Sequence, residues 1–406
     1  MLFKKNYFIV ANADFNFRNA KLRRQRYANY LLNKSDTESI IWIYPIKNKN
    51  SHLTSFKNFF SGNAKIKKLK QGKIIKIGIY DSIPSFILPK NFLTEKNLIL
   101  RKSVADLLKV LDNTTGKLVL YFTHPSFPFL IKKRNWDAVI YDCSDLWSSS
   151  MQKSPGVFSI LNRRIKTEDE RKIIQSSNLV FATSDFLKKD IYNKTKQKAT
   201  VIENGVDFKH FYRHDLINDS IFEEVPRPRF GFVGGMKPKI DFLRLEKLAI
   251  SNPEWNFVLI GPTISRIKKL NNQILTLKNV YAYEAVKPEK IPLYLYNLDV
   301  GLLPYRDIKY NKAVFPLKLF EYLAAELPVV GWGVPSTKKY SKEGIYYYTN
   351  KLDTIDDISR LCKTALDDSK NKKFINNRNN IAKKENWDDK FDEILKHIDQ
   401  IILNKI

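Results

Sequence analysis

The stretch DVGLLPYRDIKYNKAVFPLKLFEYLAAELPVVGW, residues 299–332, decides the fold class of this chain. Two apolar runs, DVGLLPY and PVVGW, enclose a loop and an amphipathic segment of helical length over residues 316–325. Both runs are apolar throughout instead of alternating with polar residues, which is typical of strands in a parallel sheet that helices cover on both faces. The stretch therefore predicts one β–α–β unit of an α/β protein.

The same alternation of strand and helix extends along most of the chain. Other apolar runs recur, and amphipathic stretches separate most of them, which indicates further parallel strands. These runs are YFIVAN (7–12), SIIWIY (39–44), KIIKIGIY (73–80), KLVLYF (117–122), WDAVIYD (136–142), NLVFATS (178–184), RFGFVGG (229–235), WNFVLIG (255–261), NVYAY (279–283) and GIYYYT (344–349). The series restarts after a turn-rich segment, and 406 residues exceed one core. The sequence predicts two α/β domains, over 1–205 and 206–386, and a terminal helix over 387–406.

Composition excludes several classes of protein. Hydrophobic residues make up 43% of the chain, which is enough to bury sizeable cores and excludes a wholly disordered protein. With only two cysteines, a disulfide framework and a structural zinc site of four cysteines are both excluded. The N-terminus lacks the apolar run of a signal peptide, and no stretch of about 18 uncharged apolar residues occurs. We therefore expect a cytoplasmic protein whose membrane contact, if any, is peripheral.

Positive charge is concentrated in the first half of the chain. The net charge is +28, and residues 1–200 carry +22 of it, which implies an anionic partner for that half. One basic cluster, FRNAKLRRQR (17–26), contributes Arg23, Arg24 and Arg26. A second, NAKIKKLKQGKIIK (63–76), follows the aromatic run FKNFF and contributes Lys65, Lys67, Lys68 and Lys70. Basic residues interleaved with aromatics favour an anionic membrane surface; RNA and a solvated basic loop are the alternatives.

The run GFVGG (231–235) is the first candidate ligand site. Gly234 and Gly235 follow a strand and precede a helical stretch, so the backbone can approach a phosphate at this turn. Met236, Lys237 and Pro238 follow, so the run lacks the GxGxxG fingerprint of dinucleotide binding. Phosphate contact and a purely structural tight turn are both consistent with the sequence.

The second candidate site is the start of the helix in the opening stretch. Pro316 suits the first helical position, because its missing N–H would be unsatisfied there anyway. Lys318 then lies in the first turn, where a cation opposes the helix macrodipole unless an anion also binds. Glu321 is its neighbour three residues on. Such a pair suits a nucleotide sugar, with Lys318 on the diphosphate and Glu321 on the ribose hydroxyls; the alternative is an exposed salt bridge.

The third candidate site is YDCSD (141–145), where carboxylates follow an apolar strand. Such positions fall in the crevice where open α/β sheets bind ligands, and a general base for a sugar hydroxyl needs one. Asp145 is the first choice for this base, because the strand has ended by then, whereas Asp142 could cap the next helix. His124 also follows a strand and is the alternative base. No Asp-x-Asp motif follows a strand, so no metal is expected.

The run PLKLFEYLA (316–324), followed by PVV, resembles the donor-site helix of GT-B glycosyltransferases of the group 1 type. Other segments agree with that family in order and spacing. They are FRNAKLRRQRYANYL (17–31), VIYDCSDLW (139–147), ENGVD (203–207), FVGGM (232–236), VLIGP (258–262), NVYAYEAVKPEKIPLYLYNLDVGLLPY (279–305) and Trp387. Among family members, the chain is most similar to bacterial envelope-polysaccharide enzymes, including the teichuronic-acid and xanthan glucuronosyltransferase types.

The resemblance implies the GT-B fold, with two Rossmann-like domains facing a central cleft. It assigns the acceptor to the first domain and the nucleotide-sugar donor to the second, and it implies that the terminal helix crosses back to the first domain. The donor-binding residues that it implies, together with the motifs above, are Gly234, Gly235, Tyr283, Tyr305, Pro316, Leu317, Lys318 and Glu321.

The chain departs from the family pattern at three positions. Ala313 stands where retaining members carry the first of two glutamates, so retention and inversion both stay open. Asp241 lies near the place of the family's basic residue, and Glu326 replaces the usual glycine before PVV. Lys318 is expected to supply the missing phosphate-binding charge, as in the glucuronosyltransferase type.

Together these features predict transfer of a sugar from an NDP-sugar to a lipid-linked or polysaccharide acceptor at the membrane face. A UDP-linked donor is favoured, with UDP-glucuronate as one candidate, and neither a cofactor nor nucleic acid is expected. Two alternatives are a sugar-nucleotide epimerase on the same fold and a basic nucleic-acid-binding protein. An epimerase would need no basic acceptor domain, and the chain shows no RNA-binding signature.

Overall fold

The computed structural model separates the chain into two compact units. The first consists of Met1–Ile202 together with Phe391–Ile406, and the second consists of Glu203–Lys390. The residues that the structure describes are 3–16, 22–46, 64–69, 72–80, 102–149, 157–212, 219–262, 273–350 and 353–405. Each unit is built around one largely parallel sheet.

The first unit contains an eight-stranded sheet within its described residues. Its strands are β1 (Lys5–Val10), β2 (Thr37–Ile46), β3 (Lys65–Leu69), β4 (Ile74–Tyr80), β5 (Lys117–Phe122), β6 (Ala138–Cys143), β7 (Leu179–Ala182) and β8 (Thr200–Val201). They lie in the order β3-β4-β2-β1-β5-β6-β7-β8, and all neighbours are parallel except the edge pair β3–β4. Without β3, this is the doubly wound Rossmann order, in which the strand sequence reverses between β1 and β5.

Helices of the first unit connect these parallel strands. They are α1 (Arg23–Leu32), α2 (Lys102–Asp112), α3 (Val157–Ser176) and α4 (Asp185–Thr195). Sequence explains their starts where a cap is present: the Ser184 hydroxyl accepts a hydrogen bond from the Leu187 N–H at the start of α4. The apolar strand runs form the core, and Tyr7, Ile9 and Trp42 are fully buried.

The second unit has a six-stranded, all-parallel sheet in its described residues. Its strands are β9 (Arg229–Val233), β10 (Asn256–Ile260), β11 (Val280–Tyr283), β12 (Val300–Pro304), β13 (Val329–Trp332) and β14 (Tyr346–Tyr348). The order β11-β10-β9-β12-β13-β14 is again the Rossmann order, with its reversal between β9 and β12. Ligands bind such sheets outside the carboxyl ends of the strands at this reversal, which directs attention to the segments after β9 and β12.

Some helices of the second unit begin at residues whose side chains cap them. They are α5 (Phe208–Phe211), α6 (Phe242–Ser251), α7 (Ile291–Leu295), α8 (Lys309–Ala313), α9 (Lys318–Ala324), α10 (Ile355–Asp367) and α11 (Lys372–Lys384). Asp241 caps α6 by accepting a hydrogen bond from the Arg244 N–H, and Thr354 forms a capping box with Asp357 at the start of α10. Asp241 therefore has a structural role in beginning a helix.

The last helix, α12 (Trp387–Leu403), begins in the second unit and belongs to the first unit from Phe391 onward. The Phe391 ring packs on Tyr27 of α1 with 5.2 Å between ring centroids. Lys34 Nζ lies 2.9 Å from an Asp392 carboxylate oxygen. In the described part of the chain, no helix combines the length and the apolar character that a membrane crossing would require.

Candidate functional site

Three loops meet at the carboxyl edge of the second sheet, where the predicted glycine turn lies. The Gly234 N–H donates a hydrogen bond to the Ile260 carbonyl oxygen at 2.8 Å. The Gly261 N–H donates in turn to the Tyr283 carbonyl oxygen at 3.0 Å. These bonds fix the ends of β9, β10 and β11 side by side, so the exposed backbone of the turn is held by its neighbours.

Gly261 is a residue of this site that the sequence analysis did not single out. A Cβ atom at this position would lie 1.8 Å from the Gly234 carbonyl oxygen, a distance that no side chain can occupy. The two loops can approach each other because residue 261 is glycine. Its only sequence signal was its place in VLIGP, after an apolar strand.

Helix α9 is fastened to the same turn. The Val233 N–H donates a buried hydrogen bond to the Tyr322 hydroxyl at 2.9 Å. A Cβ at Gly301 would lie 2.5 Å from the Tyr322 ring, so the glycine in β12 allows this ring to pack against the strand. Because Val233 directly precedes Gly234, the helix that carries Lys318 is anchored at the residue where the turn begins.

The Lys318–Glu321 pair is mostly buried. Lys318 Nζ lies 2.6 Å from Glu321 Oε2, and their side chains are only 19% and 11% exposed. The pair is therefore not the exposed surface salt bridge that was the alternative. Helix α9 begins at Lys318, with Leu317 as its N-cap, so the prediction that Pro316 is the first helical residue was wrong by two positions.

Tyr305 and Tyr283 have different surroundings. Tyr305 is buried, and burial together with the nearby Glu321 carboxylate raises the pKa of its hydroxyl. Tyr283 ends the edge strand β11, and its ring packs on Phe222 with 5.3 Å between centroids. Tyr305 thus lies in the electrostatic neighbourhood of the ion pair, whereas Tyr283 contributes its carbonyl oxygen to the loop contacts.

Lys239 is a cation near this site that the sequence analysis missed. Its Nζ lies over the Tyr305 ring at 5.3 Å from the centroid and over Tyr310 at 5.7 Å. The segment that carries it forms a bridge with the strand end, in which Ile240 pairs with Tyr305. Lys239 therefore lies close to the place where the family's basic residue was expected.

The departures at Ala313 and Glu326 also have structural consequences. Ala313 ends α8 and is fully buried, so it offers neither a carboxylate nor room for one. Glu326 has φ +67°, a left-handed conformation that favours glycine. Its Oε1 accepts a hydrogen bond from Asn379 Nδ2 at 3.0 Å, and this contact helps to hold the unusual backbone in place.

A pocket of about 700 Å³ is lined in part by Tyr305. Asp241, Arg244, Trp332 and Asp353 also line it, whereas Gly234 and Lys318 do not. Concavity alone would put the ligand there, but the glycine turn and the buried ion pair lie elsewhere. We give more weight to those groups, because they place a cation at the strand-order reversal, where open α/β sheets bind ligands.

In the first unit, Asp142 and Arg23 form a buried ion pair and do not lie on the surface. Arg23 Nε donates to both carboxylate oxygens of Asp142, at 2.8 and 3.2 Å, and the Tyr121 hydroxyl donates to Oδ2 at 3.0 Å. Burial would lower the pKa of Arg23, but the Asp142 carboxylate raises it overall. Arg23 is therefore unavailable to a membrane or acceptor, and Asp142 does not cap a helix.

Asp145 and His124 lie at the carboxyl edge of the first sheet. Asp145 is half-buried beyond the end of β6, and its carbonyl oxygen accepts a hydrogen bond from the Trp147 N–H at 3.1 Å. His124 is buried; its Nδ1 lies 2.7 Å from Ser126 Oγ, and its ring meets Trp147 edge-on at 4.5 Å. The structure thus brings both base candidates around Trp147, and Asp145 is the more open of the two.

The basic clusters divide into exposed and buried members. Lys65, Lys67 and Lys68 are exposed on the edge strand β3, so this part of the cluster is not a loop. Lys76 is buried and pairs with Asp14 at 2.8 Å. Arg24 and Arg26 are half-buried on α1. Lys70 and the aromatic run 56–60 lie outside the described residues.

Across the described parts of the chain, no three His, Cys, Asp or Glu side chains are placed to hold a metal ion.

Comparison with known proteins relates the whole chain to sugar-transferring enzymes. A model of the family "Glycosyl transferases group 1" matches residues 227–368. A Bacillus subtilis (strain 168) protein, named for glycosyl transfer in teichuronic acid biosynthesis, is 32% identical over 400 residues, which cover 96% of both chains.

Solved structures agree on the fold. The sucrose-phosphate synthase of Thermosynechococcus elongatus superposes with a TM-score of 0.69 at 12% identity, covering 99% of this chain and 100% of the other. An Anabaena protein in complex with UDP gives a TM-score of 0.64 at 13% identity, covering 98% and 100%. At these identities the likeness concerns the fold, which is the GT-B arrangement of two Rossmann-like domains.

The glycine contacts lead to a test of how the donor-side loops are built. We expect Gly261→Ala to destabilise the protein by at least about 2 kcal/mol, because backbone atoms must move apart and neighbouring contacts are lost. Gly235→Ala is the matched control: its Cβ would meet only Lys237 methylene carbons at 3.4–3.8 Å, so we expect a change within about 1 kcal/mol. Urea unfolding measures both, and equal losses would contradict the assigned contact.

Proposed function

This chain belongs to the group 1 glycosyltransferases, and from that premise we propose that it transfers a sugar from a UDP-linked donor to a lipid-linked or polysaccharide acceptor. We place the reaction in cell-envelope polysaccharide synthesis, which the name of the Bacillus relative supports. The UDP bound to the Anabaena protein supports the choice of nucleotide. The pattern Lys318…Glu321, shared with the glucuronosyltransferase type, favours UDP-glucuronate as the donor.

The observation that carries this proposal is the buried Lys318–Glu321 pair beside the glycine turn. A glycosyl donor leaves as a nucleoside diphosphate, so negative charge develops on its phosphate oxygens. In this proposal Lys318 meets that charge, and Glu321 binds the ribose hydroxyls. We assign the electrostatic role to Lys318, and the proposed reaction uses no metal.

In the proposed reaction, Asp145 acts as general base in the first unit. The acceptor hydroxyl loses its proton to the Asp145 carboxylate as its oxygen bonds to the anomeric carbon of the donor sugar. The bond between that carbon and the β-phosphate oxygen breaks, and UDP leaves with the electron pair. Asp145 is preferred to His124 because Asp145 is half-buried beyond the end of β6, whereas the His124 side chain is buried.

We propose that strand β3 attaches the protein to an anionic membrane surface. Its three exposed lysines lie within a five-residue strand next to exposed Ile66, at an edge of the sheet. Each basic residue near anionic lipid contributes roughly 1 kcal/mol. Lysines on an edge strand also discourage pairing with a strand of another chain. Vesicle binding therefore separates a membrane-attachment role from this edge-protecting role.

Family membership favours glycosyl transfer over the epimerase alternative. The main support for the nucleic-acid alternative is the excess positive charge. The candidate site in the second unit does not add to it, because its cation, Lys318, is paired with Glu321. A groove for nucleic acid would instead track several phosphates with uncompensated cations. We therefore retain the sugar donor, an acceptor glycan and anionic lipid as the partners of this chain.

The first prediction for the donor site concerns Lys318→Ala. We expect UDP affinity, measured by titration calorimetry, to fall by about 10- to 100-fold, because a hydrogen bond to a charged group contributes about 1.5–3 kcal/mol. Transfer should be lost while circular dichroism shows a folded protein. Lys312→Ala is the control, because Lys312 is half-exposed and pairs with Asp307. Unchanged UDP affinity in the Lys318 variant would refute the donor-site assignment.

The second prediction concerns the base. We expect Asp145→Asn to lower turnover by about 10²- to 10⁴-fold, the range for loss of a general base, with UDP affinity unchanged. His124→Ala should reduce turnover less. Single-turnover assays with saturating donor make the comparison, and the opposite ranking would transfer the base to His124.

The third prediction concerns the membrane. We expect the protein to sediment with vesicles containing anionic lipid at low salt and not to sediment with neutral vesicles. It should be released near ~0.5–1 M salt, where the Debye screening length is several-fold shorter. Replacing Lys65, Lys67 and Lys68 by Ser should remove most of the binding. The control replaces three exposed lysines of the second unit by Ser, namely Lys363, Lys370 and Lys373. Equal sedimentation of the two variants would leave β3 with the edge-protecting role alone.

A further inference from the structure

Four polar side chains near the strand-order reversal of the first sheet carry buried atoms without a hydrogen-bond partner. The atoms are Asn12 Oδ1, Arg24 Nε, Gln25 Oε1 and Trp147 Nε1. From them we infer that this cluster binds an acidic sugar, so that the acceptor carries hydroxyls and an anionic group next to the reacting hydroxyl. The inference rests on the proposed function and specifies the chemical class of its acceptor.

Backbone contacts place the loop after β1 beside the strand end that carries His124. The Thr123 N–H donates to the Val10 carbonyl oxygen at 2.9 Å, and the Ala11 N–H donates to the Ile43 carbonyl oxygen at 2.9 Å. Asn12 follows directly. Its unpartnered carbonyl oxygen is therefore held at the reversal between β1 and β5, which is where open α/β sheets bind ligands.

Helix α1 is held at this edge from two sides. Arg23 is bound to Asp142 at the end of β6, and Gln25 Nε2 donates a long hydrogen bond of 3.4 Å to the Phe15 carbonyl oxygen. Gln25 is 4% exposed, yet its Oε1 has no partner. Arg24 lies between these two anchored residues, so its backbone position at this edge is set by the helix.

Arg24 and Arg23 contrast sharply in their partners. Arg23 Nε donates to both oxygens of a carboxylate, whereas the buried Arg24 Nε has no hydrogen-bond partner in the described part of the chain. Burial lowers the pKa of Arg24, and the nearby Asp145 carboxylate only partly offsets this effect. Arg24 is half-buried; its charge is partly desolvated, which is unfavourable, and an anion from a ligand would compensate it.

Trp147 links this cluster to the proposed base. Its ring lies against His124, its backbone N–H donates to the Asp145 carbonyl oxygen, and its indole N–H has no partner. A ligand that accepts from Trp147 and Arg24 would therefore lie close to Asp145. This proximity would bring a hydroxyl on the same sugar within reach of the general base.

The unpartnered atoms also define the chemistry of the ligand. Arg24 and Trp147 offer donors, which suit the oxygens of a carboxylate or phosphate. Asn12 and Gln25 offer carbonyl oxygens, which suit donating hydroxyls. A neutral sugar would leave the guanidinium uncompensated. A uronate and a sugar phosphate share the required features, so the experiment treats them as separate arms.

The experiment measures binding to the intact protein without donor. Ligand-observed NMR titrations would compare methyl glucuronide, glucose 6-phosphate and the neutral methyl glucoside. We expect at least one acidic sugar to bind at least tenfold more tightly than the neutral one, and the tighter arm identifies the anionic group. Arg24→Gln should weaken that binding at least tenfold. Arg171→Gln, which alters an exposed pair with Glu168 in the same unit, should leave it unchanged.

Two further measurements keep the test decisive. Trp147→Phe removes one donor and keeps every charge, so it should weaken the acidic sugar several-fold even if Arg24→Gln fails to fold. UDP affinity should be unchanged in both variants, because UDP is assigned to the second unit. Equal binding of acidic and neutral sugars, or unaltered binding in the folded variants, would overturn the inference. Loss of UDP binding in the parent protein would instead refute the proposed function.

Discussion

The hydrogen bond from the Val233 N–H to the Tyr322 hydroxyl is the contact on which the donor-side geometry depends. It joins the last residue of β9 to the middle of α9, two elements that are 89 residues apart in sequence. Gly301 allows the Tyr322 ring to reach that position. Because this bond is buried and water cannot compete for it, the spacing between the glycine turn and Lys318 is set by packed structure.

The first unit uses the same device with a charged pair. Arg23 of α1 binds Asp142 of β6, and the Tyr121 hydroxyl completes the contact. Removing one member of such a pair leaves a buried charge, which typically costs about 3–5 kcal/mol. In both units, therefore, a buried polar contact ties a helix to a strand end next to the strand-order reversal. A candidate ligand-binding segment adjoins each contact: the glycine turn in one unit and Arg24 in the other.

The fold followed from the sequence because its main signal is local. Runs that are apolar over their full length need cover on both faces, and this requirement alone indicates parallel sheets with helices between the strands. The candidate site residues Lys318 and Asp145 also had local signals: a cation in a first helical turn and a carboxylate after a strand. The start of α9 was placed two residues too early: Pro316 was predicted at the first helical position, but the helix begins at Lys318 with Leu317 as its N-cap.

What the sequence could not show depends on long-range contacts. Arg23, Arg24 and Arg26 look equivalent in a basic run, and only the position of Asp142, 119 residues away, separates the first from the others. Gly261 looks like an ordinary end of a strand until the Gly234 carbonyl oxygen is seen beside it. Such roles are set by packing between distant segments, which composition and periodicity do not encode.

The large positive charge of the chain and the chemistry of its sites are separate matters. Attraction from exposed lysines decays within a Debye length of about 8–10 Å at ordinary salt, so net charge governs association with surfaces more than recognition in a site. Within the sites, the charges are balanced locally: Lys318 by Glu321 and Arg23 by Asp142. Arg24 departs from this pattern, since burial weakens its hydration and Asp145 only partly compensates it. A ligand anion at Arg24 would restore the local balance and leave Asp145 able to accept a proton, which connects recognition of an acidic acceptor to its activation.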